Sequence, residues 1–242
     1  MLGSIYHTVI ALSLFISFIS VFVTKKEVRS IHILILVILA WVLAFESYGL
    51  ITSRKGINNS LLYNVSWVNV ESLLLISYFY ILEKSQQFKK RIIQTSLIII
   101  AWGVVNSIFL QPIALSLQYY SLLPFAAFII FLAIRLLKNL LNLQLFPDQN
   151  LMAIPHFWIS STVLFFYLEA LLLFGTYQFN PEFVVENVIV LFAFNKFMAG
   201  LMYIFFGISF IFPHLSKNSN ILKIGLVFLL LISNISFIFL NT

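Results

Sequence analysis

The sequence predicts an all-α fold: a polytopic transmembrane helix bundle with a seven-helix core, an eighth helix after it, and the N-terminus outside. Three observations carry this reading. Hydrophobic residues make up 62% of the 242 and charged residues only 9%, whereas a soluble domain carries roughly a quarter charged residues. The apolar residues fall into runs of about 20, the length that a hydrocarbon layer of about 30 Å requires. The basic residues gather in alternate loops, which sets the orientation.

The runs lie near 4–23, 31–53, 61–82, 92–110, 114–137, 156–177, 187–212 and 221–240 and make one transmembrane domain over 1–242. The first has no Lys or Arg before it and no small-residue cleavage site after it, so it is expected to remain as a helix rather than leave as a signal peptide. The second follows "TKKEVRS" and carries Glu46. The third, between "SRKGINNS" and "EKSQQFKKR", places Asn64, Trp67, Glu71 and Tyr78 at steps of 3, 4 and 7, which is one face of an α-helix. The fourth and fifth are separated only by a short stretch around Pro112. The sixth opens on Pro155, His156, Phe157 and Trp158, an interfacial anchor with an aromatic belt. The seventh lies in the run Val188 to Phe212 and contains "FAFNKFMAG", with Lys196 inside it.

Loops 1, 3, 5 and 7, with the helix ends beside them, hold 11 of the 14 basic residues: Lys25, Lys26, Arg29, Lys84, Lys89, Lys90, Arg91, Arg135, Lys138, Lys217 and Lys223. Loop 2 holds Arg54 and Lys55, and loop 6 carries Glu182 and Glu186. Odd loops are therefore expected in the cytoplasm, with both termini outside. On this reading the net charge of +6 reports membrane orientation and not a nucleic-acid partner. The partner it implies is the lipid bilayer of a bacterial inner membrane.

Depth singles out the candidate site. At 1.5 Å per residue, Glu46 lies about 10 Å below the outer end of its segment, Glu71 about 15 Å, Glu169 about 12 Å and Lys196 about 13 Å. Four ionisable residues on four segments thus share one layer of the outer half. A lone lysine at the bilayer centre costs around 3 kcal/mol on insertion scales, and a facing carboxylate removes much of that. The cluster has more acids than bases, so it is expected to respond to pH. Asn106, Asn195, Trp67 and Tyr167 complete the expected pocket for a ligand or a proton, with Tyr6 and His7 near the same level. His32 and His214 are expected to be solvated at the cytoplasmic interface, and Arg135 and Lys138 to snorkel toward it.

Several chemistries have no carrier here. The chain has no cysteine, which removes disulfides, thiolate catalysis and Cys-based metal sites. It has no His-Glu-x-x-His pair and no Gly-x-x-x-x-Gly-Lys loop, and Ser160 and Ser161 sit in no Gly-rich turn. The reading is therefore not an enzyme, with no cofactor and no metal. No glycine- or proline-broken helix pair marks inverted transporter repeats.

Two resemblances bear on function. The lysine in segment 7 and the acid in segment 3 resemble the microbial rhodopsins, where a lysine binds retinal and a carboxylate is its counter-ion. The sequence departs from them: "LFAFNKFMAG" lacks the aspartate one turn before the lysine, and segment 3 lacks the Arg-Tyr, Asp-Trp and Thr-Thr-Pro pattern. "NNSLLYNVSWVNVESLLLISYFYILEKSQQFKK", "VVNSIFLQPIALS" and "HFWISSTVLFFYLEALLLFG" resemble an uncharacterised Bacteroidetes-type multi-helix membrane family, found as the membrane part of some sensor histidine kinases. The matches are Glu71, then Asn106, Phe109, Gln111 and Pro112, then Phe157 and Trp158, with Asn195 in the last shared helix. Coverage is roughly 58–212, and within these residues a further helix, not a kinase, follows. The resemblance implies a sensor or receptor-like membrane protein acting through a separate cytoplasmic signalling partner. A small proton-coupled secondary transporter and a structural or assembly subunit are the alternatives.

Overall fold

The computed structural model describes residues 2–141 and 151–215, with side chains over 5–141 and 151–214. The expected eighth helix at 221–240 lies outside the described residues. Seven helices among them are long and apolar enough to cross a membrane: α1, Leu2–Val23; α2, Lys26–Arg54; α3, Ser60–Leu82; α4, Gln86–Phe109; α5, Tyr119–Leu141; α6, Pro155–Phe179; and α7, Val188–Ile208. A short helix, Pro181–Glu186, precedes α7, and a 3-10 turn, Ser209–Ile211, carries it on to Phe212–Leu215. The protein is a multi-pass helical membrane protein.

Two helix starts show how local chemistry meets the free N–H groups. The Ser85 hydroxyl accepts from the N–H of Phe88 at the head of α4, and Pro155 opens α6, where a missing N–H costs nothing. Pro124 lies inside α5 and cannot bond the carbonyl of Tyr120. The Trp102 indole of α4 donates to that carbonyl instead, at 2.7 Å, so the break is repaired from a neighbour.

Helix α1 packs between α2 and α7, α6 joins α7 to α5, and α4 lies against α5. α3 is the most enclosed of the seven. Its sequence explains this, because Asn64, Ser66, Asn69, Glu71 and Ser72 cannot face hydrocarbon. The face where α1 starts is the N-face here; the opposite face carries Lys25, Lys26, Arg29 and Lys84 to Arg91 and is the basic face.

Helices 4 and 5 depart from the expected 92–110 and 114–137. α4 begins earlier, on the polar turn Gln86 to Arg91, because hydropathy marks only the lipid-buried length. α5 begins later, because residues 110–118 are held off the helix by side chains. Asn64 donates to the carbonyls of Ile113 and Ser116, both at 2.7 Å, and accepts from the N–H of Gln118 at 2.9 Å.

At the basic face Arg135 does more than snorkel. It pairs with Glu83 at 2.7 Å and stacks over Phe88 at 3.7 Å. Burial pushes the Glu83 carboxyl up, but the hydrogen bonds from Arg135, Ser85 and Lys84 and the Arg135 charge outweigh it, holding Glu83 below the usual carboxylate value. A depressed carboxyl stabilises the fold above its unfolded value and loses that contribution as pH falls through the folded value. Glu83→Gln is therefore expected to lower stability at pH 7, by less than about 1 kcal/mol for a partly solvated pair. Melting curves taken down through pH 4 should show the two proteins converge in acid.

Candidate functional site

The structure divides the expected residues into groups instead of one cluster. Glu46 and Glu71 come together. Glu46 of α2 is half-buried and accepts from Tyr63 at 3.0 Å and from Tyr6 at a long 3.4 Å. Gly49 makes the first of these possible: a Cβ there would lie 3.0 Å from the Tyr63 hydroxyl. Glu71 of α3 is fully buried. Its Oε1 accepts from the Tyr203 hydroxyl of α7 at 2.9 Å, and its Oε2 has no hydrogen-bond partner among the described residues. The two carboxyls act on each other electrostatically, and both act on the phenols of Tyr6 and Tyr203.

Glu71 closes a π-helix, Asn64–Glu71, in which i→i+5 hydrogen bonds replace i→i+4; such segments are rare and frequent at functional sites. Side chains take up two of its carbonyls: Asn69 donates to that of Asn64 at 2.6 Å, and the Trp41 indole to that of Ser66 at 3.2 Å. The wider turn overturns the expected single face. Asn64 turns to residues 113–118, whereas Glu71 turns to α7.

Tyr167 of α6 lies within the field of Glu71. Its hydroxyl is buried near Ser72 but makes no hydrogen bond of good geometry. Trp67 supplies no polar contact in this group; it packs on Phe166 and Phe174, with ring centroids 6.4 and 5.2 Å away. Glu169 stands apart, half-buried and accepting from Asn195 at 2.8 Å. Asn106 belongs elsewhere: it donates to Ser121 at 2.8 Å in an amide network with Gln111, Gln118 and Gln178 that ties residues 110–118 to α4 and α6.

Lys196 corrects the expectation most sharply. It is exposed on α7 and makes no ion pair within 4 Å among the described residues, although its charge acts on Glu46. The physical reason is that phenol hydroxyls of α1, α3 and α7, rather than the ammonium, satisfy the carboxyls. A lysine on the bundle surface reaches polar surroundings along its own stem. Tyr63 and Tyr203 were not among the expected residues. Ala199, Gly200, Tyr203 and Gly207 are all buried, and this small-residue line in the sequence marks the packed face on which Tyr203 lies.

A second polar group lies toward the basic face and corrects the solvated reading of His32. That ring is fully buried and stacks on Phe210, with centroids 4.0 Å apart and planes at 6°. Its Nδ1 meets Thr24 at 2.8 Å, and its Nε2 meets Ser17 at 3.1 Å and Ser20 at 3.3 Å. Hydroxyls thus meet both ring nitrogens, and the Thr24 hydroxyl also lies 2.8 Å from the Ser20 carbonyl. His156 is not an interfacial anchor either. It is buried, bonded to Tyr78 at 2.8 Å, and edge-on to Phe210.

Comparison with protein-family models, curated proteins and solved structures returned no match.

Proposed function

We propose that this chain is a sensor or receptor-like protein of a bacterial inner membrane whose input is a proton taken up from outside at the Glu46–Glu71 pair. The observation that carries this reading is the Glu71 carboxyl, fully buried on a π-helix with one oxygen unpartnered, beside a half-buried Glu46. Tyrosines of the protein occupy the other polar valences of the pair, so what remains suits a proton or a water molecule better than a larger ligand. The groups facing it are Tyr6 and His7 of α1, Tyr63 of α3, Tyr167 of α6, and Lys196 and Tyr203 of α7. Intramembrane ionisable residues carry function by default.

The basic loops support an outside N-face under the positive-inside rule. A change of charge at Glu71 alters its bond to Tyr203 and hence the packing of α3 against α7. The basic loops pass that change to a cytoplasmic partner or to anionic lipid.

Infrared spectroscopy of the purified protein across pH tests the input. A carboxylic-acid band that titrates in the wild type and disappears in Glu71→Gln is expected, together with a pH-dependent tryptophan emission that Trp67→Phe removes. A wild type with no titrating band, or a band unchanged in Glu71→Gln, would reduce the cluster to a clasp between helices.

A further inference from the structure

The carboxyl pair and the two histidines lie toward opposite faces of the bundle, and the side chains between them carry unpartnered oxygens. Apart from Asn106 Oδ1 in the amide network, four buried side-chain oxygens have no hydrogen-bond partner among the described residues: Glu71 Oε2, Tyr167 OH, Ser160 Oγ and Ser209 Oγ. All four residues are fully buried. Leaving such an atom without a partner is costly, and buried polar atoms that lack a protein partner are as a rule met by ordered water.

These atoms are not scattered. α3 and α6 run antiparallel, as Trp67 against Phe174 and Tyr78 against His156 show. That register sets Glu71 opposite Tyr167 and Leu75 opposite Ser160. On α6, His156, Ser160, Val163 and Tyr167 follow at steps of 4, 3 and 4, so they share one face over about 16 Å of helix. α7, with Tyr203 and Phe206, and the 3-10 turn after it, with Ser209 and Phe210, pack against α6 on the other side. Phe210 touches both His32 and His156, and of these His156 is the one that retains some exposure. Hydroxyls and imidazoles both donate and accept, so each can hand on a proton without leaving its place.

We propose that Glu71 exchanges its proton with the basic face along a water-carried path past Tyr167 and Ser160 to the Tyr78–His156 pair, giving the protein a slow proton conductance across the membrane. This rests on the reading of Glu71 as the proton site and extends it from one face to both. A proton entering at Glu46 moves to Glu71, then through water to the His156 ring. At that end the titratable and charged groups are His32 and Arg29 of α2, Tyr78 of α3 and His156 itself, with the Glu83–Arg135 pair beyond.

The test uses the full chain in lipid vesicles holding a trapped pH dye, with potassium and valinomycin clamping the voltage while an acid step is applied outside. Wild type is expected to equilibrate faster than protein-free vesicles. Ser160→Val, which puts methyl groups into the path, and Glu71→Gln should fall to the protein-free rate, and Ser160→Thr, which restores a hydroxyl, should conduct. The infrared band of Glu71 in Ser160→Val is read beside the flux and shows that this variant is folded with its proton site intact. Wild-type flux equal to that of protein-free vesicles, or undiminished flux in Ser160→Val, overturns the path. If the Glu71 band persists in that case, the proton site itself stands; if the band is also absent, both readings fall.

Discussion

Replacing Gly207 with alanine is expected to cost about 1–3 kcal/mol, the usual penalty for overpacking a close contact, and to lower the melting temperature in detergent. A Cβ at this position would lie 2.7 Å from the Ser13 carbonyl oxygen, 2.8 Å from its Cα and 3.0 Å from its Cβ. The first two are backbone atoms, so no rotamer relieves the clash and α1 must move off α7. α1 carries Tyr6 to Glu46 at one end and Ser17, Ser20 and Thr24 to His32 at the other. Both polar groups should loosen together. Gly200→Ala is the matched control on the same helix. Its Cβ would meet Tyr6 and Val9 at 3.9 Å, an ordinary contact, and alanine is the better helix former. Gly200→Ala should therefore be neutral or stabilising. Equal losses in the two variants would show that the close approach at Ser13 is not what seats α1.

The same helix pair shows how far the sequence can be read. The seven spans were legible because hydropathy and length record depth directly. The span 61–82 and the observed Ser60–Leu82 differ by one residue. Of the four expected charges, Glu46 and Glu71 act on each other electrostatically. Rotation about each helix axis was not legible. An α-helical period put Asn64 and Glu71 on one face, and a π-helix of eight residues separates them. Nothing in the spacing of "NVSWVNVE" announces that change of period, which goes with Trp41 of α2 and Asn69 taking carbonyls. Lys196 acts on Glu46 by its charge but faces outward from the bundle, because insertion cost depends on what surrounds a charge and not on its position along the chain alone.

His32 illustrates the opposite error. Its place next to a basic loop suggested solvent, and hydropathy has no way to say that a neighbouring helix offers hydroxyls. The signal was present in α1, where Ser13, Ser17, Ser20 and Thr24 recur at steps of 4, 3 and 4. A hydroxyl stripe in an otherwise apolar helix is a face that needs a polar partner, and His32 is the imidazole that meets it.

The largest functional effect is expected at Glu71, where stability and activity should move in different directions. Glu71→Leu removes an incompletely bonded buried carboxyl but leaves the Tyr203 hydroxyl without its acceptor. Tyr203→Phe alone takes away the one hydrogen bond that the carboxyl has. Each single change therefore strands a buried polar group, at about 1–3 kcal/mol. The double change Glu71→Leu with Tyr203→Phe strands neither, and replacing both partners by apolar groups of similar shape is often neutral or stabilising. The double variant should melt at or above the wild type and above both single variants, while the pH-dependent tryptophan response is abolished. Thermal melts and emission scans on the four proteins decide this. A double variant that loses as much stability as a single one would mean that the pair holds α3 to α7 as a structural clasp, and a loss equal to the sum of the single losses would mean that Glu71 and Tyr203 do not act as a pair. A stable double variant that no longer responds to pH would mean that the carboxyl is kept at a cost to the fold, which is the mark of a group retained for function.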